Sequence, residues 1–532
     1  MYRFYTRRHQ TMQKIIQTDV IIVGAGPTGL SLAVQLMRYN IDFVIFDQKE
    51  GVTELSKALV VHARTLEIYD QVGLAKKAVA EGEQVQKVAL MHDGKISARL
   101  DFSDFGAGLS PFPFILVFEQ SKNEHLLYEH LQRNGKVVQW QTELETLTQD
   151  ADGVRVVVKT ANGERQAIIA SYLVGCDGAS SPTRQILGLP FEGSTHPRLF
   201  YVADVQMQFS GEEGTVYPVL GQDSFVLMVP MQGENRWRLI GNLPEYEDQI
   251  DQEVLFEAIE TKVKQLVQLP LEITTLHWFS TYRVHTRRAE MFSVGRCFLA
   301  GDAAHIHTPA GGQGMNTAIQ DAYNLAWKLA FVLRGNAQDS LLATYNEERL
   351  ANAKRLLQTT DQFFDVVASD RWYFRFFRDN ILSSLAGFVT QFSAAKEFLF
   401  PMVSQIGLDY SDSPLSQHQQ DRKFEVKAGD RMPYFLVNGE NIYDRLRKPK
   451  FHLLVFSDGQ QDYECLKLEL DEYANCIDFH VIPLYPRVVE IFGSHQPFKV
   501  LLRPDNYIAL LSPDCSLDAL KAYFNKVVGL IS

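Results

Sequence analysis

The sequence predicts an α/β protein. It has a parallel sheet with helices around it, a mixed β-sheet inserted into that sheet, a helical segment, and a small α/β domain at the end. Three observations predict this. A glycine-rich turn joins an apolar run to a helix-periodic run near the N-terminus. The middle of the chain breaks into short strand-like runs separated by turn residues. A polar stretch then precedes a last region of about 105 residues in which strand and helix patterns resume.

The first element is the apolar strand Val20–Val23, within "TDVIIVGAGPTGLSLAVQLMRYNIDFVIFDQKE". Gly24, Gly26 and Gly29 follow as GxGxxG. Pro27 and Thr28 open a run with helical periodicity that reaches Arg38, and "DFVIFD" forms a second strand ending on Asp47. The spacing fits the dinucleotide fingerprint of a Rossmann-like fold, with an acidic residue about 20 residues beyond the turn. Gly24 permits the tight turn. Gly26 lets the backbone approach a pyrophosphate, and Gly29 lets the helix pack close to the strand. The helix start offers free N–H groups and a positive dipole end to phosphate. Asp47 is positioned to accept from a ribose diol.

Further along, "VFEQSKNEHLLYEHL" starts an amphipathic helix at Gln120, and "SYLVGCDGASSPTRQILG" is a strand ending on Asp177 and Gly178, with Arg184 downstream. The runs "LFYVADVQMQF", "GTVYPVL", "SFVLMVPM" and "RWRLIGNL" predict a mixed or antiparallel sheet. Trp237, Trp278 and Tyr282 lie on its strands as candidates to line a pocket, with ordinary core as the competing reading. "GRCFLAGDAAHIHTPAGGQGMN" then gives a strand, Gly301–Asp302, Pro309, and a helix start at Gly312–Asn316 that includes Gly314 and Met315. The chain is mostly helical from Ala318 to about Gly407. It carries an aromatic patch, "FFDVVASDRWYFRFF", read as core before membrane or partner surface. The expected division is about 18–190, 191–286 (with part of 85–115 a candidate to join it), 287–345, 346–425 and 426–532.

Composition narrows the function. Of 532 residues, 46% are hydrophobic and 22% charged, as in ordinary globular proteins. The net charge of −12 argues against a nucleic-acid partner. The five cysteines form no CxxC and no Cys/His cluster with zinc spacing, which suits free thiols in a reducing compartment. No apolar run reaches the roughly 18 residues of a membrane span. "MYRFYTRRHQTMQK" lacks the apolar core of a secretory signal, and the chain is expected to be cytoplasmic. A strand starts within a few residues of Met12, so the folded part is expected to begin there.

GxGxxG, the Asp177–Gly178 motif and the Gly301–Asp302 motif, in that order, resemble the single-component FAD-dependent aromatic hydroxylases, such as the p-hydroxybenzoate and phenol hydroxylases. The resemblance covers about residues 18–425. The tail resembles the thioredoxin-like domain of the longer members, without CxxC and so without a dithiol role. A structural or dimer-contact role is expected for it, and it is expected to be dispensable for flavin binding.

The resemblance implies non-covalent FAD, NADPH or NADH as co-substrate, and O2. It implies an electrophilic flavin C4a-hydroperoxide that hydroxylates a phenolic or polycyclic aromatic compound. It assigns Asp302 to a ribityl hydroxyl and Pro309 to the side of the isoalloxazine ring. The N–H groups at Gly312–Asn316 would face the N1–C2=O edge, where reduction places negative charge. Gln120 would contact the phosphates or the ribityl chain. Asp177, Gly178 and Arg184 would serve FAD and the nicotinamide cofactor, with a structural salt bridge an equal alternative for Arg184. Lys57 stands where the family usually has Arg; it keeps the charge and loses the bidentate fork. His62 and Arg64 are read as helix-face and structural residues. No general base is assignable. Two alternatives stay open: an oxidase or reductase on the same fold, and a non-catalytic FAD-binding interaction protein. A homodimer is compatible with either. A halogenase would need a WxWxIP stretch, and no two tryptophans here have that spacing.

Overall fold

The computed structural model describes residues 15–54, 56, 58–103, 106–244, 255–308, 310–368, 400–418, 424–460, 463–513 and 517–525. The chain begins with β1 (Ile15–Val23), α1 (Pro27–Arg38) and β2 (Phe43–Phe46). Next come β3 (Val60–Val61), α2 (Ala63–Asp70), α3 (Ala75–Glu81), β4 (Glu83–Val85), β5 (Lys87–His92), β6 (Lys95–Asp101) and β7 (Ile115–Val117). They lead into α4 (Gln120–Arg133), β8 (Val138–Gln139), β9 (Glu143–Gln149), β10 (Val154–Lys159), β11 (Arg165–Gly175) and α5 (Pro182–Ile186). The middle gives β12 (Phe191–Phe209), β13 (Thr215–Leu220), β14 (Phe225–Pro230), β15 (Arg236–Leu243), α6 (Phe256–Val267) and β16 (Leu271–Ala289). The chain returns through β17 (Ser293–Val294), β18 (Cys297–Leu299), β19 (His305–Ile306), α7 (Gly314–Leu333) and α8 (Ser340–Ala368).

The last part holds β20 (Gln417–His418), β21 (Leu436–Val437), β22 (Glu440–Asn441), α9 (Ile442–Arg445), β23 (Phe451–Ser457) and α10 (Glu464–Glu469). It ends with β24 (Ile477–Pro483), α11 (Pro486–Phe492), β25 (Phe498–Leu502), β26 (Ile508–Ser512) and α12 (Asp518–Tyr523).

The first sheet runs β17-β18-β11-β1-β2-β8, with β10 and β9 extending antiparallel from β11. β1 lies parallel to both β2 and β11, and β11 parallel to β18. Val23 is level with Phe46 and with Gly175, and Gly175 with Leu299. Four carboxyl ends therefore open on one edge, where ligands bind in sheets of this kind. Val20, Ile21 and Ile22 are fully buried because both faces of the sheet are covered.

The second sheet runs β19-β16-β12-β15-β14-β13-β5-β6. One face packs on α6, where Tyr201, Val205, Met228 and Leu239 meet Ile259 and Val263. The other face meets β3 and β7 through Leu227 and Val229. Alternation along the strands sorts the side chains between these two faces.

The tail sheet runs β20-β26-β25-β23-β24. One face of it has its own core, in which Leu454, Phe456, Val500 and Leu502 meet Val488 and Phe492 of α11, and the other face joins the core around α7. Phe451, Leu453, Tyr523 and Phe524 belong to the same cluster as Trp327 and Phe331 of α7. At this junction the Arg503 guanidinium donates to Glu348 at 2.5 and 3.0 Å and also to Asp505, and Lys328 donates to Glu348 at 2.8 Å. All four side chains are buried. Burial pushes the Lys328 amine down to about 8, against the pull of Glu348. No helix among the described residues is long and apolar enough to cross a membrane. The side chains of the aromatic patch at 363–377 lie outside the described residues.

Candidate functional site

The site begins at the end of β1. Gly24 has φ +100°, and a Cβ there would stand 2.4 Å from the Cys176 carbonyl oxygen. A Cβ on Gly29 would stand 1.9 Å from the Gly24 carbonyl oxygen, so the helix can start this close to the strand only with glycine. Gly26 differs, since a Cβ there would meet nothing within 4 Å. α1 starts beside that open space with Pro27 in its first turn and no side-chain cap. Its first N–H groups are therefore available to an anion. Asp47 accepts from the Ala25 N–H at 2.7 Å and the Lys49 N–H at 2.9 Å. The carboxylate thus braces the turn while retaining lone pairs for a ligand.

Gln120 is the first residue of α4, and its amide ties back to the stretch before β3. Its Oε1 accepts from Ala58 N–H at 3.2 Å, and its Nε2 donates to Glu124 at 3.0 Å. Glu124 is buried and also accepts from the Thr53 N–H at 2.9 Å. Sequence reasoning missed Glu124; an acid one turn after Gln120 on an amphipathic helix was the available signal. Lys57 lies outside the described residues, between Ser56 and Ala58, which both bond to Gln120.

At the end of β11, Asp177 accepts from the Ser181 hydroxyl at 2.5 Å and the Thr183 N–H at 2.9 Å. Burial raises its carboxyl, against these bonds. Gly178 has φ +79° and faces open space. Among the described residues the Arg184 side chain forms no salt bridge; backbone carbonyls take the place of the structural pair given as its alternative. It donates to the carbonyls of Ala303 at 2.9 Å and Ala179 at 2.7 Å, and lies over Phe191 with 3.8 Å to the ring centroid. It joins the Asp177–Gly178 loop to the Gly301–Asp302 loop.

Gly301 has φ +62°, and a Cβ would stand 2.4 Å from the Thr28 hydroxyl of α1. Asp302 is exposed although Gly301 and Ala303 beside it are buried. Gly311 and Gly312 both have positive φ, and a Cβ on Gly312 would stand 2.9 Å from Val60. α7 then starts at Gly314 with no side-chain cap.

Asn316 is committed to the protein. It accepts from His62 N–H and the Thr65 hydroxyl, both at 2.8 Å, and donates to the carbonyls of Val60 and Gly312. The Met315 side chain is buried. Any cofactor contact at these two residues is therefore through the backbone, because their side chains serve the fold. Pro309 lies outside the described residues. Its neighbours His307 and Thr308 leave Nε2 and Oγ1 buried without a hydrogen-bond partner among the described residues, as His62 leaves Nδ1. His307 and His62 are both pushed down to about 4 by burial and are neutral at neutral pH.

Beneath this loop lies a residue the motifs did not mark. Asp321 accepts from Gly301 N–H at 2.9 Å, His305 Nε2 at 2.7 Å and Arg349 Nε at 2.6 Å. Burial alone would raise its carboxyl; Arg349 and His305 outweigh that and hold it at about 2. An acid inside the apolar run of α7 was the signal.

The second sheet separates the three aromatic candidates. Trp237 packs against Phe209 and Tyr217 on the α6-covered face. It is core, because its strand position points it away from the face that meets β3. Trp278 and Tyr282 lie on that other face, level with Asp204 and Phe200. There Arg238 donates to both oxygens of Asp204 at 2.6 and 2.7 Å. Its Nη1 is buried without a partner among the described residues. Burial pushes the Tyr282 phenol up to about 12, so it is a neutral donor rather than a base. A separate cleft of about 630 Å³ lies near the C-terminal end of α1, lined by Arg38, His130, Lys136 and Arg447, away from the glycine turns.

Two uncapped helix starts, an open backbone at Gly26, and orphaned buried donors and acceptors beside Pro309 fit an extended dinucleotide laid across the strand ends. A family model described as FAD binding domain matches residues 17–360. The chain is 34% identical over 451 residues to 6-methylpretetramide 4-monooxygenase of Streptomyces rimosus, covering 83% of this chain and 79% of that protein. It is 31% identical over 514 residues to pentachlorophenol 4-monooxygenase of Sphingobium chlorophenolicum, covering 92% and 93%. The solved structure of the anhydrotetracycline hydroxylase OxyS from Streptomyces rimosus superposes with a TM-score of 0.74 at 28% identity, covering 97% of this chain and all of that one. The chain therefore belongs to the family of FAD-dependent aromatic monooxygenases, and FAD is its cofactor.

Proposed function

We propose that this enzyme hydroxylates a bulky, polycyclic phenolic compound, using NADPH or NADH and O2. The observation that carries the substrate class is the 34% identity to a 6-methylpretetramide monooxygenase, supported by the likeness to an anhydrotetracycline hydroxylase. When bound and reduced, FAD supplies the oxygen chemistry, and the protein orients the reactants and excludes water.

In this reading the first N–H groups of α1 and the backbone at Gly26 hold the pyrophosphate. Asp47 serves the adenosine ribose, and Gln120 the phosphates or the ribityl chain. Asp302 holds a ribityl hydroxyl. The N–H groups at the start of α7 stabilise negative charge on the reduced ring. Gly178 leaves space beside the cofactor. Asp177 and Arg184 act on the nicotinamide step by holding the two loops together. The substrate ring lies between the Pro309 loop and the sheet face carrying Trp278 and Tyr282, where Arg238 Nη1 can donate to a substrate oxygen. The C-terminal region is read as thioredoxin-like, supported by its strand order β26-β25-β23-β24. The protein is read as cytoplasmic, and a homodimer is compatible with it.

The test is a screen of simple phenols, polycyclic phenols and quinones for stimulated NAD(P)H consumption with product gaining one oxygen atom. Stimulation only by simple phenols would overturn the polycyclic reading, and consumption that yields only hydrogen peroxide with every compound would favour an oxidase. Acid precipitation should release the flavin, and colour retained on the precipitate would show covalent attachment.

A further inference from the structure

The tail sheet carries a side-chain cluster that FAD binding does not use. His452 lies on β23, and Asp478 and His480 lie on the parallel edge strand β24. The register sets His452 level with Asp478. Asp478 and His480 are two residues apart and leave their strand on the same face. Three donor atoms converge there. His452 Nδ1 is 3.3 Å from His480 Nε2, His480 Nε2 is 3.1 Å from Asp478 Oδ2, and His452 Nδ1 is 3.8 Å from the same oxygen.

Hydrogen bonding alone accounts poorly for this triangle. His452 Nε2 lies 3.1 Å from the Lys448 carbonyl, so the ring proton belongs there and Nδ1 presents a lone pair. The Asp478 oxygen is a second acceptor. His480 has one N–H to offer at Nε2 for two acceptors. A metal ion would use all three. With bonds of about 2.0–2.1 Å, tetrahedral ligands stand roughly 3.3 Å apart, and the three separations bracket that length.

The supporting contacts are also in place. The Nε2–H of His452 on a backbone carbonyl is the bond that fixes a ligating imidazole. Lys448 Nζ takes Asp478 Oδ1 at 2.7 Å and leaves Oδ2 for the cluster. His452 is fully buried while Asp478 and His480 are partly exposed, so a fourth position is open to water. Lys448, Arg445 and Arg38 stand within electrostatic range and would lower affinity without changing the geometry.

We propose that His452, Asp478 and His480 form a binding site for a divalent transition metal of the zinc class, which clips edge strand β24 to its neighbour β23. Two imidazoles and a carboxylate suit Zn2+ better than Ca2+ or Mg2+.

The test uses the full-length, FAD-loaded protein after dialysis against a chelator. Zn2+ is titrated in competition with a chromophoric chelator, and Co2+ is added separately to read the coordination geometry. One equivalent should bind, with a Co2+ spectrum of tetrahedral intensity. His480→Gln and Asp478→Asn, both at partly exposed positions, should weaken Zn2+ binding tenfold or more and keep the FAD content unchanged. Zn2+ should raise the melting temperature of the parent protein and leave that of His480→Gln unmoved. No stoichiometric uptake by the parent would overturn the proposal. So would equal uptake by both variants, which would place the ion at other histidines of the chain, or a weak octahedral Co2+ spectrum.

Discussion

Asp302 is the exposed acid between two buried neighbours at the end of β18, and this placement makes it the most direct residue-scale test of the cofactor reading. A charge-assisted hydrogen bond to a hydroxyl is worth roughly 1.5–3 kcal/mol. Asp302→Ala should therefore weaken FAD binding by about tenfold to a hundredfold, read by flavin fluorescence during titration of the apoprotein; an unchanged dissociation constant would remove Asp302 from the site. His62 sets a pH dependence. Its Nε2 donates to the Gly311 carbonyl at 2.9 Å, and burial holds it at about 4 against an ordinary 6.5. Between those values the unfolded chain binds a proton that the folded one does not, so stability falls as pH drops from 6.5 towards 4. His62→Gln should flatten that part of the stability–pH curve, measured by thermal unfolding. An unaltered slope would show that other groups carry it.

At the scale of elements, the first glycine turn contains two different demands. Gly29 is required by the fold, since its Cβ would overlap the Gly24 carbonyl. Gly26 is not, because its side is open and its φ of −82° suits any residue. Gly26→Ala should leave the melting temperature of the apoprotein nearly unchanged, as substitutions that touch nothing usually stay within about 0.5 kcal/mol. It should nonetheless cost tenfold or more in FAD affinity, because the methyl occupies the space the pyrophosphate needs. Gly29→Ala should lose both stability and FAD. Equal behaviour of the two variants in calorimetry would show that the open space at Gly26 is not where the cofactor lies. Each motif was legible because it depends on local backbone geometry. Which of the two readings of Trp237 holds, pocket or core, was not legible at the same scale for a related reason: alternation shows that a strand has two faces, but which face α6 covers is set by packing, and that packing makes Trp237 core.

For the whole molecule, the tail changes standing. Its own strand and helix pattern suggested a domain dispensable for flavin binding. In the structure one face of its sheet keeps a core of its own while the other merges with the core of α7, and Arg503 and Asp505 are buried against Glu348, Lys328 and Trp327. The Asp505 carbonyl also accepts from Arg64 of α2, at 2.8 Å. Breaking a buried ion pair by removing one partner costs about 3–5 kcal/mol. Arg503→Ala should lower stability by that order in urea unfolding. Truncation near Asp421 should yield insoluble protein rather than a soluble FAD-binding core. A soluble, yellow truncated protein would restore the independent-domain reading.

The sequence by itself determined the strand–turn–helix at Gly24–Arg38, the start of α4 at Gln120, and the strand ends at Asp177 and Asp302. Each is encoded within a few residues by glycine, proline and periodicity, and their order carries the family. Tertiary structure decided what each side chain at those places does. Asn316, Asp177 and Arg184 are held by partners far away in sequence or by a local loop. Glu124, Asp321 and the His452–Asp478–His480 cluster gain their neighbours only when separate segments pack together. Burial and long-range hydrogen bonding are properties of that packing, so no local pattern of residues could report them.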